Sequence, residues 1–65
     1  MTSDERQQFI DDKLSSMLAM THALQNRILN AQRRGYISPD TARQMAANSK
    51  QIGMDAHAIS MLPKA

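Results

Sequence analysis

The residues whose side chains could do chemistry are few and widely spaced. His22 and His57 are the only imidazoles, and Asp55 is the one acid near the second of them. A protein zinc site uses three or four ligands, and no third ligand is evident. Asp11 and Asp12 are adjacent, so on a helix they point about 100° apart and cannot act as a catalytic pair. With no glycine-rich phosphate loop and no nucleophile beside a base, we expect no enzymatic activity, no metal site and no cofactor.

One basic cluster, formed by Arg27, Arg33 and Arg34, could contact an acidic partner or a phosphate. The simpler interpretation is that these arginines complement the negative end of a helix dipole. A second hint of nucleic-acid binding is the stretch 52–60, whose glycine-to-isoleucine spacing is that of a helix-turn-helix motif. No base-reading side chain follows this stretch, and the net charge of +2 is small. A DNA-binding element is therefore the least favoured of the functions considered.

Length and composition predict one small domain, residues 1–65. A chain of 65 residues is near the lower limit for folding alone, and the absence of cysteine excludes disulfides and thiolate metal sites. The core would consist of Leu, Ile, Met and Ala, which can pack two helices closely. No apolar run is long enough to span a membrane. The acidic, polar residues 1–5 are unlike a signal peptide, so we expect a cytoplasmic protein.

Two heptad stripes predict two helices that pack against each other. Steps that alternate between four and three residues keep a narrow apolar seam on one side of a helix, and such a seam must be buried against another helix. The predicted hairpin seam consists of Ile10, Leu14, Met17, Thr21, Leu24 and Ile28 in the first helix and of Ala42, Met45, Ser49, Ile52, Ala56 and Ile59 in the second.

The segment between the stripes predicts a helix stop followed by a helix start. Gly35 is suited to the left-handed conformation that ends a helix. Ser38 and Pro39 are suited to the N-cap and the first turn of the next one. We therefore predict helices over residues 4–34 and from 39 to about 62. The predicted fold class is all-α, an antiparallel, coiled-coil-like two-helix hairpin with its turn near residues 35–38.

The predicted seam leaves a second set of apolar residues without a place inside the hairpin. A two-helix hairpin has one inner face, so a further apolar surface meets either water or another chain. Methionine suits a surface that adapts to a partner, because its side chain is unbranched and polarisable. The predicted partner-binding residues are Phe9, Leu18, Met20, Leu29, Met54, Met61 and Leu62. Without a partner, we expect the chain to self-associate or to be marginally stable.

The layout of the chain resembles a known group of proteins. A capped acidic N-terminus, a long first helix, the stop Arg33-Arg34-Gly35, the start Pro39-Asp40 and a closing 59–62 segment are similar to the small E-type co-chaperones of type III secretion needle subunits. The resemblance implies a hairpin that pairs with a second, tetratricopeptide-type chaperone. Together the two would keep the needle subunit monomeric in the cytoplasm. The opening of the second helix departs from the group, because residues 41–47 are rich in Ala and Met rather than charged and Gln-rich.

The favoured function is therefore a protein-binding co-chaperone or adaptor without catalytic activity. The alternative is a small regulator or inhibitor, of phage or other origin, that docks on a target protein. These two functions share one sequence signature, since both need an apolar surface on a helical hairpin.

Overall fold

The computed structural model describes residues 2–63, which form two helices in a long, narrow hairpin. Helix α1 spans Ser3–Arg34 and helix α2 spans Pro39–Ser60. They run antiparallel and pack along their lengths, in a molecule of 48 × 15 × 14 Å. The predicted all-α two-helix hairpin is confirmed. Helix α2 ends about one half-turn earlier than predicted, at Ser60 rather than near Leu62.

Side-chain caps begin both helices. Before α1, the backbone N–H of Glu5 donates to Oγ1 of Thr2 at 3.1 Å, and the Thr2 hydroxyl donates to Oε1 of Glu5 at 3.1 Å. Before α2, the backbone N–H of Thr41 donates to Oγ of Ser38 at 3.1 Å. Each cap satisfies a backbone N–H that the first turn of a helix leaves unpaired.

The turn between the helices depends on one glycine. Gly35 has φ of 68°, in the left-handed region, and its N–H donates to the carbonyl of Ala31 at 2.9 Å. Any other L-residue would be strained in this conformation. Pro39 then occupies the first turn of α2, where its fixed φ suits a helix start. The chain reverses direction within four residues, which sets α2 directly beside α1.

The opposite end of the hairpin is closed by a single side chain. Arg6, half-buried in α1, donates through Nη1 to the backbone carbonyl of Pro63.

Helix α2 is continuous through Gly53, so residues 52–60 do not form the turn and second helix of a helix-turn-helix motif. Within residues 2–63, no helix combines the length and apolar character needed to cross a membrane.

The hairpin has no apolar core of the usual kind. Among residues 2–63, no hydrophobic side chain is fully buried, and the one buried residue is Asp55, at 3% exposure. Large apolar side chains are instead half-buried between the helices or exposed on the outside. A two-helix layer is too thin to surround a side chain, so every apolar residue keeps part of its surface open.

Candidate protein-binding surface

The inner face is the surface through which α1 and α2 contact each other. Its residues are half-buried or buried, and they recur every three or four positions along each helix. The apolar part of the inner face includes Ile10, Met17, Leu24 and Ala31 of α1, with Met45, Ile52 and Ile59 of α2. All of these residues except Ala31 belong to the predicted seam.

Polar side chains fill the alternate positions of the inner face. Arg27 donates from Nε to Oε1 of Gln44 at 3.0 Å and from Nη1 to Oδ1 of Asn48 at 2.8 Å. The amide of Asn48 in turn lies 3.5 Å from the sulfur of Met20. These contacts join the helices by directed bonds as well as by packing. Arg27 also covers apolar surface with its aliphatic stem while its head is bonded.

Asp55 is the most deeply buried residue of the inner face. Its Oδ1 accepts a hydrogen bond from Nε2 of Gln51 at 2.9 Å, one turn earlier in α2. Its Oδ2 has no hydrogen-bond partner among residues 2–63. The contacts Arg6–Pro63 and Met20–Asn48 place Asp55 level with residues 13–17 of α1. A buried carboxylate oxygen without a donor opposes folding, because water no longer solvates it.

The predicted seam is therefore corrected at every second position. Six of its twelve residues are exposed rather than packed between the helices: Leu14, Thr21, Ile28, Ala42, Ser49 and Ala56. The contact is made instead by the residue before each of them, which is Lys13, Met20, Arg27, Thr41, Asn48 or Asp55. The physical reason is that hydrogen bonds between polar side chains turn each helix by a fraction of a turn away from its apolar stripe.

The six displaced residues share one side of the hairpin, which we call the front face. Each follows an inner-face residue by one position, so each lies about 100° further around its own helix. Because the helices run antiparallel, equal rotations about their own axes point to the same side of the plane that contains both. The front face thus combines large residues on α1, such as Leu14 at 50% and Ile28 at 39% exposure, with small ones on α2.

Four of the predicted partner-binding residues are exposed outside the contact between the helices, and we call them the outer residues. Leu18 and Leu29 lie on α1 beside the front face, with 58% and 47% of their surface exposed, and Leu29 lines one hollow with Thr21 and Ile28. Met54 on α2 and Met61 just beyond its end lie away from the front face, with 54% and 70% exposed. Exposed apolar side chains mark a binding surface when they form a contiguous patch.

The other three predicted partner-binding residues lie closer to the contact between the helices. Phe9 is half-buried, with Nζ of Lys13 5.3 Å from the centre of its ring. Met20 contacts Asn48 across the helices, and Leu62 is half-buried just beyond the end of α2. These side chains belong at least in part to the hairpin itself. Their role in binding a partner stays a prediction.

The heptad pattern did not identify the polar residues of the inner face. Thr41, Asn48 and Asp55 follow one another at intervals of seven residues, as do Lys13, Met20 and Arg27. That spacing matches the apolar heptads and could have identified a second stripe beside the first. A search for apolar periodicity does not detect this second stripe, because most of its positions carry polar side chains.

The residues considered for chemistry do not assemble into a metal site among residues 2–63. His22 and His57 are exposed, as are Asp11 and Asp12, which accept hydrogen bonds from Gln7 and Gln8 respectively. Within the described part of the chain, no three His, Asp or Glu side chains come together as metal ligands would. The arrangement offers surface contacts rather than a site enclosed from water.

The basic cluster is divided between two environments. Arg27 is engaged in the inner face, whereas Arg33 and Arg34 are exposed in the last turn of α1. Arg34 lines a shallow cleft of about 160 Å³ at the turn, together with Tyr36, Thr41 and Gln44. The position of Arg33 and Arg34 fits the helix-dipole interpretation.

No protein family, curated protein or solved structure that was compared with the chain matches it. The surface of the hairpin therefore carries the functional inference.

Proposed function

We propose that this chain is a non-catalytic, protein-binding adaptor or co-chaperone that holds another protein through its outer residues. The supporting observation is that Leu18, Leu29, Met54 and Met61 are the most exposed large aliphatic or thioether side chains outside the front face. Burying one such side chain contributes roughly 1.5–3 kcal/mol. Two or three of them at the centre of a contact would dominate its affinity.

The shape of the hairpin suits a helical partner. A rod of 48 Å presents its apolar side chains along a line, and a second helix or a helical groove can contact them at i, i+3 and i+4 spacing. The resemblance to type III secretion co-chaperones extends the proposal to a needle subunit and a tetratricopeptide-type chaperone in the cytoplasm. A regulator or inhibitor that docks on a target would use the same residues, and the identity of the partner separates the two functions.

The first test compares two double variants with the wild type as bait in the source organism. Leu18→Ser with Leu29→Ser removes two outer residues of α1. Gln25→Ser with Asn26→Ser changes two exposed polar residues of the same helix as a matched control. We expect one protein to be captured by the wild type and the control but not by the outer variant. Circular dichroism should show equal helicity for all three, since the changed side chains are exposed.

The second test uses the captured protein in purified form. Titration calorimetry should give an affinity at least tenfold weaker for the outer variant than for the control. A secretion subunit that aggregates alone and stays soluble with the chain would support the co-chaperone. A folded enzyme or regulator that changes activity on binding would support the inhibitor instead. Equal affinity of both variants would contradict the proposed surface.

A further inference from the structure

The apolar stripe of α1 is only partly covered by α2. Its centre, from Ile10 to Ile28, lies about 60° from the direction of α2, toward the front face, where Leu14 and Ile28 are exposed. On α2 the large stripe residues Met45, Ile52 and Ile59 face α1, and the small ones, Ala42, Ser49 and Ala56, are exposed on the front face. A hairpin that was complete by itself would direct its stripes along the line between its helices.

A displacement of this size is what a four-helix bundle requires. With four helices at the corners of a square, each stripe points to the centre, about 45° from each neighbouring helix. We propose that a second copy of this chain covers the front face. The two hairpins stack face to face with their turns at opposite ends, α1 against the partner's α1 and α2 against the partner's α2. Leu18 and Leu29 border this surface, whereas Met54 and Met61 lie away from it, so the dimer and the binding of another protein through the two methionines can fail independently.

The front face is complementary to itself under a two-fold axis. Leu14 and Ile28 stand seven residues on either side of Thr21, and on α2 Ala42 and Ala56 stand seven residues on either side of Ser49. The Met20–Asn48 contact sets Thr21 and Ser49 at nearly the same level of the hairpin. One two-fold axis that crosses both helices at this level therefore pairs Leu14 with Ile28 of the partner and Ala42 with Ala56 of the partner. An isologous interface requires this property, which an unrelated partner would not need.

Polar groups on the front face are compatible with burial in such a dimer. The hydroxyl of Thr21, next to the axis, donates to the carbonyl of Met17 at 2.7 Å, which leaves its methyl group for packing. Ser49, Ala42 and Ala56 are small, so two copies of α2 can approach closely. Between the α1 helices, Leu14 meets Ile28 of the partner.

Charge along α1 favours the antiparallel arrangement. Residues 4–13 carry four acids, Asp4, Glu5, Asp11 and Asp12, against the cations Arg6 and Lys13, so their net charge is −2, and the last turn carries Arg33 and Arg34. With Thr21 at the axis, the basic end of one copy lies within about one turn of Asp11 and Asp12 of the other. A parallel dimer would instead bring like charges together at both ends.

The exposed area is sufficient for an interface of this kind. The chain exposes 5082 Å², whereas a folded monomer of 7.3 kDa typically exposes about 4,200 Å². The excess of about 900 Å² follows from the elongated shape of the hairpin. A standard interface buries roughly 800 Å² on each partner, so a second copy along the front face has enough surface to cover.

Cysteine cross-linking tests the orientation, because the natural chain contains no cysteine. Leu14→Cys and Ile28→Cys are made separately, mixed, and oxidised. The antiparallel dimer predicts disulfides between the two different variants and few within either variant alone. Ala19→Cys mixed with Asn26→Cys, two exposed positions away from the front face, should stay uncross-linked. Disulfides of Leu14→Cys with itself, or equal cross-linking of the control pair, would overturn the proposal.

Analytical ultracentrifugation tests the assembly without any cross-link. The wild type should sediment as a dimer at high micromolar concentration. Thr21→Arg places two like charges beside the axis and should raise the dissociation constant at least tenfold. His22→Arg, one position further round the helix, should leave it within twofold. A wild type that remains monomeric, or a Thr21→Arg variant that dimerises as well as His22→Arg does, would overturn the dimer. Binding of a different protein through Met54 and Met61, which lie away from the front face, would be unaffected in either case.

Discussion

The inner face and the front face of the hairpin are built from neighbouring residues but differ in chemistry. The inner face alternates apolar side chains with polar ones. Arg27, Asn48 and Asp55 occupy positions where a coiled coil would carry Leu or Ile. The front face carries Leu14 and Ile28 on α1 and only small side chains on α2. The surface that the two helices bury between them is therefore the one with more polar side chains.

This difference explains how the hairpin is held together. Directed hydrogen bonds across the inner face join the two helices, and half-buried residues such as Met17, Leu24 and Ile52 add apolar contact. Hydrogen bonds of this kind contribute only about 0.5–1.5 kcal/mol each. The apolar surface that would add more stability lies on the front face, where only another chain can cover it.

The largest effect should come from a matched pair of leucines on α1. Leu24→Ala removes a half-buried inner-face side chain, and we expect a loss of about 2 kcal/mol in the free energy of unfolding, near the lower limit for buried leucines. Leu18→Ala, with Leu18 58% exposed, should cost less than about 0.5 kcal/mol. Urea unfolding followed by circular dichroism measures both. Equal losses would show that Leu18 is covered within the folded chain, and the proposed difference between the inner face and the exposed residues of α1 would be wrong.

An intermediate effect of opposite sign is expected at the buried carboxylate. Asp55→Leu removes the unpartnered Oδ2 and adds apolar contact, and it should raise the free energy of unfolding by about 1–2 kcal/mol. Asp55→Asn keeps an oxygen for Gln51 and removes the charge, so its gain should be smaller. Urea midpoints of the two variants and the wild type give the order. Destabilisation by Asp55→Leu would mean that the carboxylate has a stabilising partner in solution.

The smallest effect tests the hydrogen bonds of the inner face. Arg27→Ala removes the bonds to Gln44 and Asn48 and should cost about 1 kcal/mol. The control is Arg33→Ala, which removes the same charge from an exposed position of the last turn and should cost less than about 0.5 kcal/mol. Thermal unfolding at matched concentration compares them. If the two arginines prove equivalent, the dipole explains Arg27 and the cross-helix bonds contribute little.

Local features of the fold were predictable because neighbouring residues determine them. Gly35, Ser38 and Pro39 specify the stop and start of the helices through their own backbone preferences, and no distant contact is needed to recognise them. The end of α2 was less predictable. The last turn of a helix depends on what packs against it, and the helix ends at Ser60, ahead of Pro63.

The candidate site was predictable only in part. Leu18, Leu29, Met54 and Met61 lie off the heptad stripe and are exposed, and their role in binding stays a prediction. Leu14 and Ile28 were expected inside it and are exposed. Arg27 was interpreted through the helix dipole, yet its partners Gln44 and Asn48 lie on the other helix.

The sequence by itself determined that the chain forms two helices, where they turn and which stripe of each is apolar, because these properties depend on residues within a few positions of one another. Only the tertiary structure decided how far each helix is rotated about its axis. A heptad stripe of period 3.5 does not say which of its two edges faces the other helix. That depends on contacts such as Arg27–Asn48, whose partners are 21 residues apart in the chain. That rotation covers the polar positions and leaves Leu14 and Ile28 open on the front face.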